Sequence, residues 1–301
     1  VRPLQWLVMV LCTLVVVFDG FDVQAIAFTA PVLASEWNLV PGQLGPVFAI
    51  GLLGMSVGAL VLGPVGDLVG RKIAILLSVA IFSLFSLLTA TAESYEMLFI
   101  YRLLTGIGLG GALPNATALI AEFAPKRLRG LMISVIFLGI PIDGMAGGMV
   151  AASLIPIWGW QSVFVLGGVG PLLLLPVLIL YLPESLGFLA SLGKRGEVRL
   201  TQFLVRSESK PNSGPWSTPP EKSPGLPLVQ LFRGGLAADT LLLWVAFFLN
   251  LMAIYFLISW IPSLLVKAGY AVTDGAYTAV ALNVGGMVGP LVLAYLIGRF
   301  G

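Results

Sequence analysis

The chain has 301 residues, of which 58 % are hydrophobic and only 10 % are charged. An ordinary soluble domain has about 25 % charged residues, so this composition excludes a soluble globular protein and predicts a chain that crosses a membrane several times. The net charge of +2 does not indicate a nucleic-acid partner, and the single cysteine, Cys12, excludes an intrachain disulfide. Because histidine, the commonest metal ligand, is absent, no metal or other cofactor is expected.

Eight apolar segments are long enough to cross a membrane core of about 30 Å, which takes around 20 helical residues. Only helices and closed barrels satisfy their backbone in lipid, and these runs are continuous rather than alternating, so the predicted fold class is all-α. The first run is too long for a cleavable signal peptide and is expected to be retained. The predicted spans cover residues 5–33, 43–64, 73–92, 97–121, 131–153, 161–182, 238–262 and 276–298.

The basic residues predict the orientation of these spans. Fourteen of the 16 lysines and arginines fall at the two ends of the chain or in the connections after the second, fourth and sixth spans. Basic loops stay on the cytoplasmic side, so both ends of the given chain are predicted to be cytoplasmic and the membrane to be the inner one. These residues are Arg2, Arg71, Lys72, Lys126, Arg127, Arg129, Lys194, Arg195, Arg199, Arg206, Lys210, Lys222, Arg233 and Arg299.

The segment 183–236 is the only long connection, and it predicts the domain boundary. It contains SESKPNSGPWSTPPEKSPGLP, which is too rich in proline and serine to bury a core. We therefore predict a six-helix domain over 1–182, a cytoplasmic central loop over 183–236, and the first two helices of a second domain over 237–301. A shift of 231 residues aligns 54–70 with 285–301 at seven of 17 positions, an internal repeat typical of secondary transporters.

Three of the predicted cytoplasmic connections carry motifs: GPVGDLVGRK (63–72), EFAPKRLRG (122–130) and LPESLGFLASLGKRGE (182–197). The first could be an ordinary basic loop, but its G-x-x-x-D-x-x-G-R-K spacing resembles the signature of the major facilitator superfamily. The other two resemble the loops that follow the fourth and sixth helices in that family. The resemblance implies twelve helices in two halves, with the first motif as a conformational latch. The implied latch residues are Gly63, Asp67, Gly70, Arg71 and Lys72, and the implied loop residues are Glu122, Arg129, Pro183 and Glu184.

Two further stretches are similar to one branch of that family, the aromatic acid:proton symporters. They are FDGFD (18–22) in the first span and RLLTGIGLGGALPN (102–115) in the fourth. The latter contains a formal G-x-G-x-x-G, but no strand precedes it, so a dinucleotide site is not expected. Small residues four apart, at Gly106/Gly110 and Gly144/Gly148, instead predict close helix packing.

Charged residues inside the spans are the candidate site, because each costs roughly 3 kcal/mol to insert at the bilayer centre. Asp19 and Asp22 are three residues apart and share one face of a helix. Arg102 lies five residues inside Met97, or ~8 Å at the helical rise, at a depth similar to that of Asp22. Arg102 could be a snorkelling interfacial residue, but matched depth predicts an ion pair with Asp22. A third carboxylate, Asp143, is equally compatible with a local hydrogen bond and with a transport role.

The resemblance and the residue chemistry together predict the roles. Asp19 and Asp22 are expected to couple proton movement, and the Arg102 guanidinium suits bidentate binding of a substrate carboxylate. Asn115 is taken as a second substrate-binding residue. The 231-residue offset places Asn250 opposite Asp19, and Tyr255 on the same span could stack on a substrate ring or simply pack.

The predicted function is proton-coupled import of an aromatic carboxylate by alternating access, by a protein that is predicted to be a monomer in the lipid bilayer. Two alternatives stay open: a transporter of a sugar or another organic acid, and a truncated, non-transporting remnant or sensor, since the given chain ends after the eighth of twelve implied helices. An enzyme is not expected, because the sequence contains no recognisable nucleophile–base pair or metal cluster.

Overall fold

The computed structural model describes residues 3–125, 128–192 and 237–300. At positions 41, 191 and 289–300 it describes the backbone only. Within these ranges every regular element is a helix, which confirms the predicted all-α class. The helices are α1 (Pro3–Glu36), α2 (Pro41–Val69), α3 (Arg71–Ala90), α4 (Tyr95–Phe123), α5 (Arg129–Phe137), α6 (Gly139–Trp158), α7 (Gln161–Tyr181), α8 (Leu186–Ser191), α9 (Ala237–Lys267) and α10 (Val272–Phe300).

Seven segments in the described part of the chain are long and apolar enough to cross a membrane. They coincide with the first seven predicted spans, and α10 lies at the eighth. The predicted fifth span is interrupted at Leu138, which separates α5 from α6. Pro141 explains the interruption, because a proline ring clashes with the carbonyl four residues earlier, here that of Phe137, the last residue of α5.

Glycines allow α2 and α4 to lie against each other. A Cβ atom at Gly54 or Gly58 would overlap with the backbone of α4 at Leu103 or Ile107, and one at Gly110 would overlap with the Met55 carbonyl on α2. This close contact fixes the position of α4, which carries Arg102 and Asn115. The close packing predicted for Gly106 and Gly110 is confirmed.

Glycines also allow α6 and α10 to pack closely. A Cβ atom at Gly144 would overlap with the Asn283 side chain, and one at Gly148 would lie 2.6 Å from Val280 Cγ2. Both contacts confirm the packing role predicted for these two glycines. They bring the polar residue Asn283 against the first turns of α6.

An aromatic cluster near the α1–α2 connection holds α1, α6 and α7 together. Trp160 packs edge-on against Trp37 at 5.7 Å and against Phe164 at 5.9 Å between ring centroids. The Trp160 indole N–H donates a hydrogen bond to Glu36 Oε2 at 2.9 Å. The packing of Trp160 on Phe164 thereby helps to fix the position of the Phe164 ring.

The chain divides into two compact units. One comprises residues 1–200 together with 258–301, and the other comprises residues 201–257. The described part of the second unit is the helical stretch 237–257 of α9. Most of the predicted central loop, residues 193–236, lies outside the described residues, as do Lys126 and Arg127.

Candidate functional site

An ion pair between α1 and α4 lies at the centre of the candidate site. Arg102 Nη1 donates to Asp22 Oδ1 at 2.5 Å, and Arg102 Nη2 donates to the Asp22 backbone carbonyl at 3.1 Å. Asp22 is fully buried and Arg102 is 2 % exposed. Because Arg102 is buried and paired, it is not a snorkelling residue, and the pairing predicted from matched depth is present.

Part of this ion pair has no partner. Within the described chain, Asp22 Oδ2 and Arg102 Nε are buried without a hydrogen bond. The guanidinium carbon lies 5.6 Å from the centroid of the Phe164 ring, a cation–π distance. The guanidinium thus has one unused donor and an aromatic face beside it.

A third carboxylate joins the two of α1. Asp143 on α6 is fully buried and its carboxylate occupies the space that a Cβ atom at Gly20 would fill. Gly20 therefore makes room for Asp143. The Asp19 carboxylate is 5 % exposed and interacts electrostatically with both Asp22 and Asp143.

Two uncharged residues that sequence reasoning missed connect this group to α10. Gln24 Nε2 donates to Asp143 Oδ1 at 2.8 Å, and Asn283 Nδ2 donates to Gln24 Oε1 at 3.1 Å. Asn283 also donates to the Ala279 carbonyl at 2.9 Å. Both side chains are buried, and the signal that could have revealed them is an amide inside an apolar run.

We call Asp19, Asp22, Arg102 and Asp143, with Gln24 and Asn283, the carboxylate cluster. Its four charged members are the buried charged residues of the described chain. One cation is thus set against three carboxylates, and that cation is already bound to Asp22. Isolated buried charges cost several kcal/mol, so this arrangement favours the uptake of positive charge.

A second polar group lies at the other end of α4, and we call it the Arg71 cluster. Arg71 Nη2 donates to Asp67 Oδ1 at 2.5 Å, Arg71 Nη1 donates to Asn115 Oδ1 at 3.4 Å, and Arg71 Nε lies 3.6 Å from Glu122 Oε1. Glu184 completes the cluster by binding the start of α3. This group brings residues of all three loop motifs together.

Glu184 and Gly70 fit each other. Glu184 Oε1 accepts hydrogen bonds from the backbone N–H groups of Lys72 at 3.0 Å and Ser185 at 2.8 Å. Gly70 has φ +109°, which L side chains rarely adopt, and a Cβ atom there would overlap with the Glu184 carboxylate. Glycine is therefore required at position 70 on two counts.

Glu122 holds the segment that follows α7. Its Oε2 atom accepts hydrogen bonds from Ser185 Oγ at 2.6 Å and from the Gly187 N–H at 3.1 Å. Pro183 follows the last residues of α7, where it cannot extend the helix. Arg129 begins α5 and is exposed, and a Cβ atom at Gly63 would meet nothing within 4 Å, so position 63 has no steric need for glycine.

The structure does not bring Asn115 together with Arg102. Asn115 Nδ2 donates to the carbonyls of Leu62 at 2.9 Å and Gly111 at 2.8 Å, and its Oδ1 accepts from Arg71. Thirteen residues separate it from Arg102 on one helix, or about 20 Å along the axis. Asn115 is therefore part of the Arg71 cluster in this structure, and its role in substrate binding stays a prediction.

Two further predicted residues, Asn250 and Tyr255, are on the part of α9 that belongs to the second unit. No group of three or more histidine, cysteine, aspartate or glutamate side chains suited to a metal ion occurs in the described ranges.

Comparison with known proteins agrees with this architecture. A profile of the Major Facilitator Superfamily matches residues 12–301. The xylose transporter XylE of E. coli, in a partially occluded inward-open conformation, has a similar fold, with a TM-score of 0.73 at 19 % identity over 99 % of this chain and 72 % of that one. At this identity the likeness concerns the fold alone.

Two curated relatives are much more similar in sequence. The 4-hydroxybenzoate transporter PcaK of Acinetobacter baylyi is 39 % identical over 98 % of this chain and 66 % of its own length. The gallate transporter of Pseudomonas putida is 40 % identical over 99 % of this chain and 67 % of its own length. The chain thus spans about two thirds of these relatives. It is a multi-pass membrane protein that belongs to the Major Facilitator Superfamily, in the branch that contains these aromatic acid transporters.

Proposed function

We propose that this chain is part of a secondary transporter that imports an aromatic carboxylate together with a proton by alternating access. The observation that carries the proposal is the buried Arg102 guanidinium, which has an unused Nε donor and the Phe164 ring beside it. A carboxylate bound by guanidinium and an aromatic ring packed on Phe164 are the two chemical features of a benzoate. The kinship with a hydroxybenzoate and a gallate transporter supports the same substrate class.

The mechanism follows from the charge balance of the carboxylate cluster. The substrate carboxylate competes with Asp22 for Arg102, since both are anions that fit one guanidinium. A proton that binds Asp22 as Arg102 is released from it keeps the net charge of the site constant when the anion enters. Asp19, on the same face of α1, is the second proton-coupling residue. Because the loaded site has no added charge, the protein can then change the side to which the site opens without burying a lone ion.

The rest of the substrate would be bound by α9. Asn250 is proposed to hydrogen-bond a ring hydroxyl, and Tyr255 to contact the ring. Their assignment rests on the 231-residue repeat and on the uncharged polar groups of these two side chains in an otherwise apolar helix.

The Arg71 cluster is proposed as the latch of the rocking motion. Its residues Asp67, Arg71, Glu122 and Glu184 join the starts or ends of several helices. Breaking and re-forming these contacts would accompany each change of access.

The proposed topology has both ends of the given chain in the cytoplasm and the inner membrane as the location. It is supported by the 14 basic residues on one side. The domains are proposed as a six-helix half over 1–182, a central loop over 183–236 and the beginning of the second half over 237–301. The working unit is proposed to be one chain, with its single substrate path between the halves.

Uptake by cells that express the complete gene tests the proposal. We expect labelled 4-hydroxybenzoate to accumulate, a protonophore to abolish the accumulation, and unlabelled benzoates to compete. Arg102→Lys keeps the charge but not the bidentate geometry and should raise KM, whereas Arg102→Ala and Asp19→Asn should lose accumulation. Competition by sugars but not by benzoates would assign another substrate class. Stable expression without any uptake would favour a non-transporting protein.

A further inference from the structure

Asp143 is the one charged residue of the carboxylate cluster that the proposed mechanism does not use. It lies five residues into α6, is fully buried, and has an Oδ2 atom without a hydrogen-bond partner in the described chain. Its other oxygen accepts a hydrogen bond from the neutral donor Gln24, and the Gly144 backbone N–H is a further neutral donor to this carboxylate. A structural carboxylate would normally be fully hydrogen-bonded, so the unpaired oxygen needs an explanation.

Asp19, the residue before Gly20, also has a carboxylate oxygen that lacks a hydrogen bond in the described chain. Its Oδ1 atom is buried without a partner. The Asp143 carboxylate rests on the Cα of Gly20, immediately beside Asp19, and the two carboxylates interact electrostatically. The single cation, Arg102, is bound by both Nη atoms to Asp22. Two buried carboxylates therefore lie on packed helices on either side of the Gly20 contact, and neither has Arg102 as its counter-ion in the described contacts.

A proton is the ligand that suits this space. Two adjacent carboxyl groups in an apolar surrounding cannot both stay ionised at low cost, and one proton shared between them removes the repulsion and gives each unpaired oxygen a hydrogen bond. Because Gly20 has no side chain, the Asp143 carboxylate can lie against α1 at the residue next to Asp19.

Resting on the proposed function, we propose that Asp19 and Asp143 form a second proton-binding site, distinct from the Asp22–Arg102 pair. The protonation state of this second site is coupled through the Gln24 hydrogen bonds to Asn283 on α10. The bond from Gln24 to Asp143 is charge-assisted while Asp143 is ionised and weaker once the proton is bound. Since Gln24 also accepts from Asn283, proton binding loosens a chain of hydrogen bonds that ties α1 and α6 to α10.

The surroundings of Asp143 leave Asp19 as its direct titratable neighbour. Of the helices packed on α6, α1 contributes Asp19 and Asp22, and α10 contributes the neutral Asn283. Helix α7 contains no aspartate, glutamate, lysine or arginine, and the one charged residue of α5 is Arg129 at its far end.

Infrared spectroscopy of the purified complete protein tests the proton site without any transported substrate. Wild-type difference spectra between acidic and alkaline pH should contain carboxyl bands of buried, protonated groups. Asp143→Asn should remove one of these bands and shift the one that remains from Asp19. The matched control, Asp274→Asn, changes an exposed carboxylate that caps α10 and should leave the buried bands unchanged.

Gln24→Leu gives a second test if the Asp143 variant does not fold. It removes the donor to Asp143 and keeps both carboxyl groups, so the buried band should persist with a changed titration midpoint. Bands that are identical to wild type in whichever variant folds would overturn the proposal.

Transport separates this inference from the proposed function. Asp143→Asn should retain exchange of labelled for unlabelled 4-hydroxybenzoate and lose accumulation driven by a pH gradient. Asn283→Leu should keep the infrared bands but show the same loss of accumulation. Normal gradient-driven accumulation in both variants would overturn the coupling. If the wild type carries no aromatic acid at all, the proposed function fails, and the infrared bands alone decide whether Asp143 binds a proton.

Discussion

The Asp22–Arg102 ion pair leads to a prediction about stability that depends on pH. Removing one partner of a buried pair leaves an uncompensated charge and costs about 3–5 kcal/mol. At roughly 2 °C per kcal/mol for a large domain, Asp22→Asn or Arg102→Met should each lower the apparent melting temperature in detergent by about 6–10 °C at neutral pH. The double variant removes both partners and leaves neither of them uncompensated. Its melting temperature should therefore fall no more than that of either single variant, which corresponds to a coupling free energy of about 3 kcal/mol.

The two single variants should differ in how they respond to acid. Arg102→Met leaves three buried carboxylates without a cation, and protons can neutralise them, so acidic pH should restore much of its melting temperature. Asp22→Asn leaves a guanidinium, which cannot lose its proton in a protein. Acid should therefore not rescue Asp22→Asn and should deepen its loss if the neighbouring Asp19 has taken over as counter-ion.

Size-exclusion chromatography after heating, with purified variants of the complete protein at several pH values, measures both effects. Asp274→Asn on the exposed start of α10 is the control for the amide substitution. Additive losses in the double variant, or the same acid response in both single variants, would refute the ion-pair argument.

Four more substitutions have defined outcomes. Gly20→Ala should lower the melting temperature, because its Cβ overlaps with the Asp143 carboxylate and overpacking costs about 1–3 kcal/mol, while Gly51→Ala meets nothing within 4 Å and should raise it slightly. Gly54→Val should prevent close packing of α2 on α4, seen as loss of monodisperse protein on gel filtration. Arg71→Lys keeps the charge but not the three-way contact and should slow substrate exchange in vesicles without changing the apparent affinity for 4-hydroxybenzoate.

The fold was accessible from the sequence because the bilayer imposes a simple rule. A continuous apolar run must become a helix, and the predicted spans differ from the observed helices mainly at their ends, which extend a few residues past the apolar core. The interruption at Leu138 was not predicted, although Pro141 was visible in the sequence. Hydropathy takes no account of the missing N–H and the steric clash of a proline, and these end α5 at Phe137.

The site was only partly accessible. Depth along a helix can be counted, so the Asp22–Arg102 contact could be predicted from two distances to the membrane edge. Rotation about the helix axis and the neighbours of each helix cannot be counted in this way. The sequence therefore gave no reason to place Asp143 on Gly20, or to link Gln24 with Asn283, which is 259 residues away.

Asn115 illustrates why a motif alone does not assign a role. It shares the stretch RLLTGIGLGGALPN with Arg102, yet the helical rise places the two about 20 Å apart, in different polar clusters. A single helix that contacts both clusters is, however, a means of connecting them. If α4 tilts as a rigid rod, a movement that weakens the Arg102–Asp22 bond also moves Asn115 relative to Arg71, because both residues are on this one helix. Under the proposed function, proton and substrate binding at one end would thus reach the proposed latch at the other end through α4.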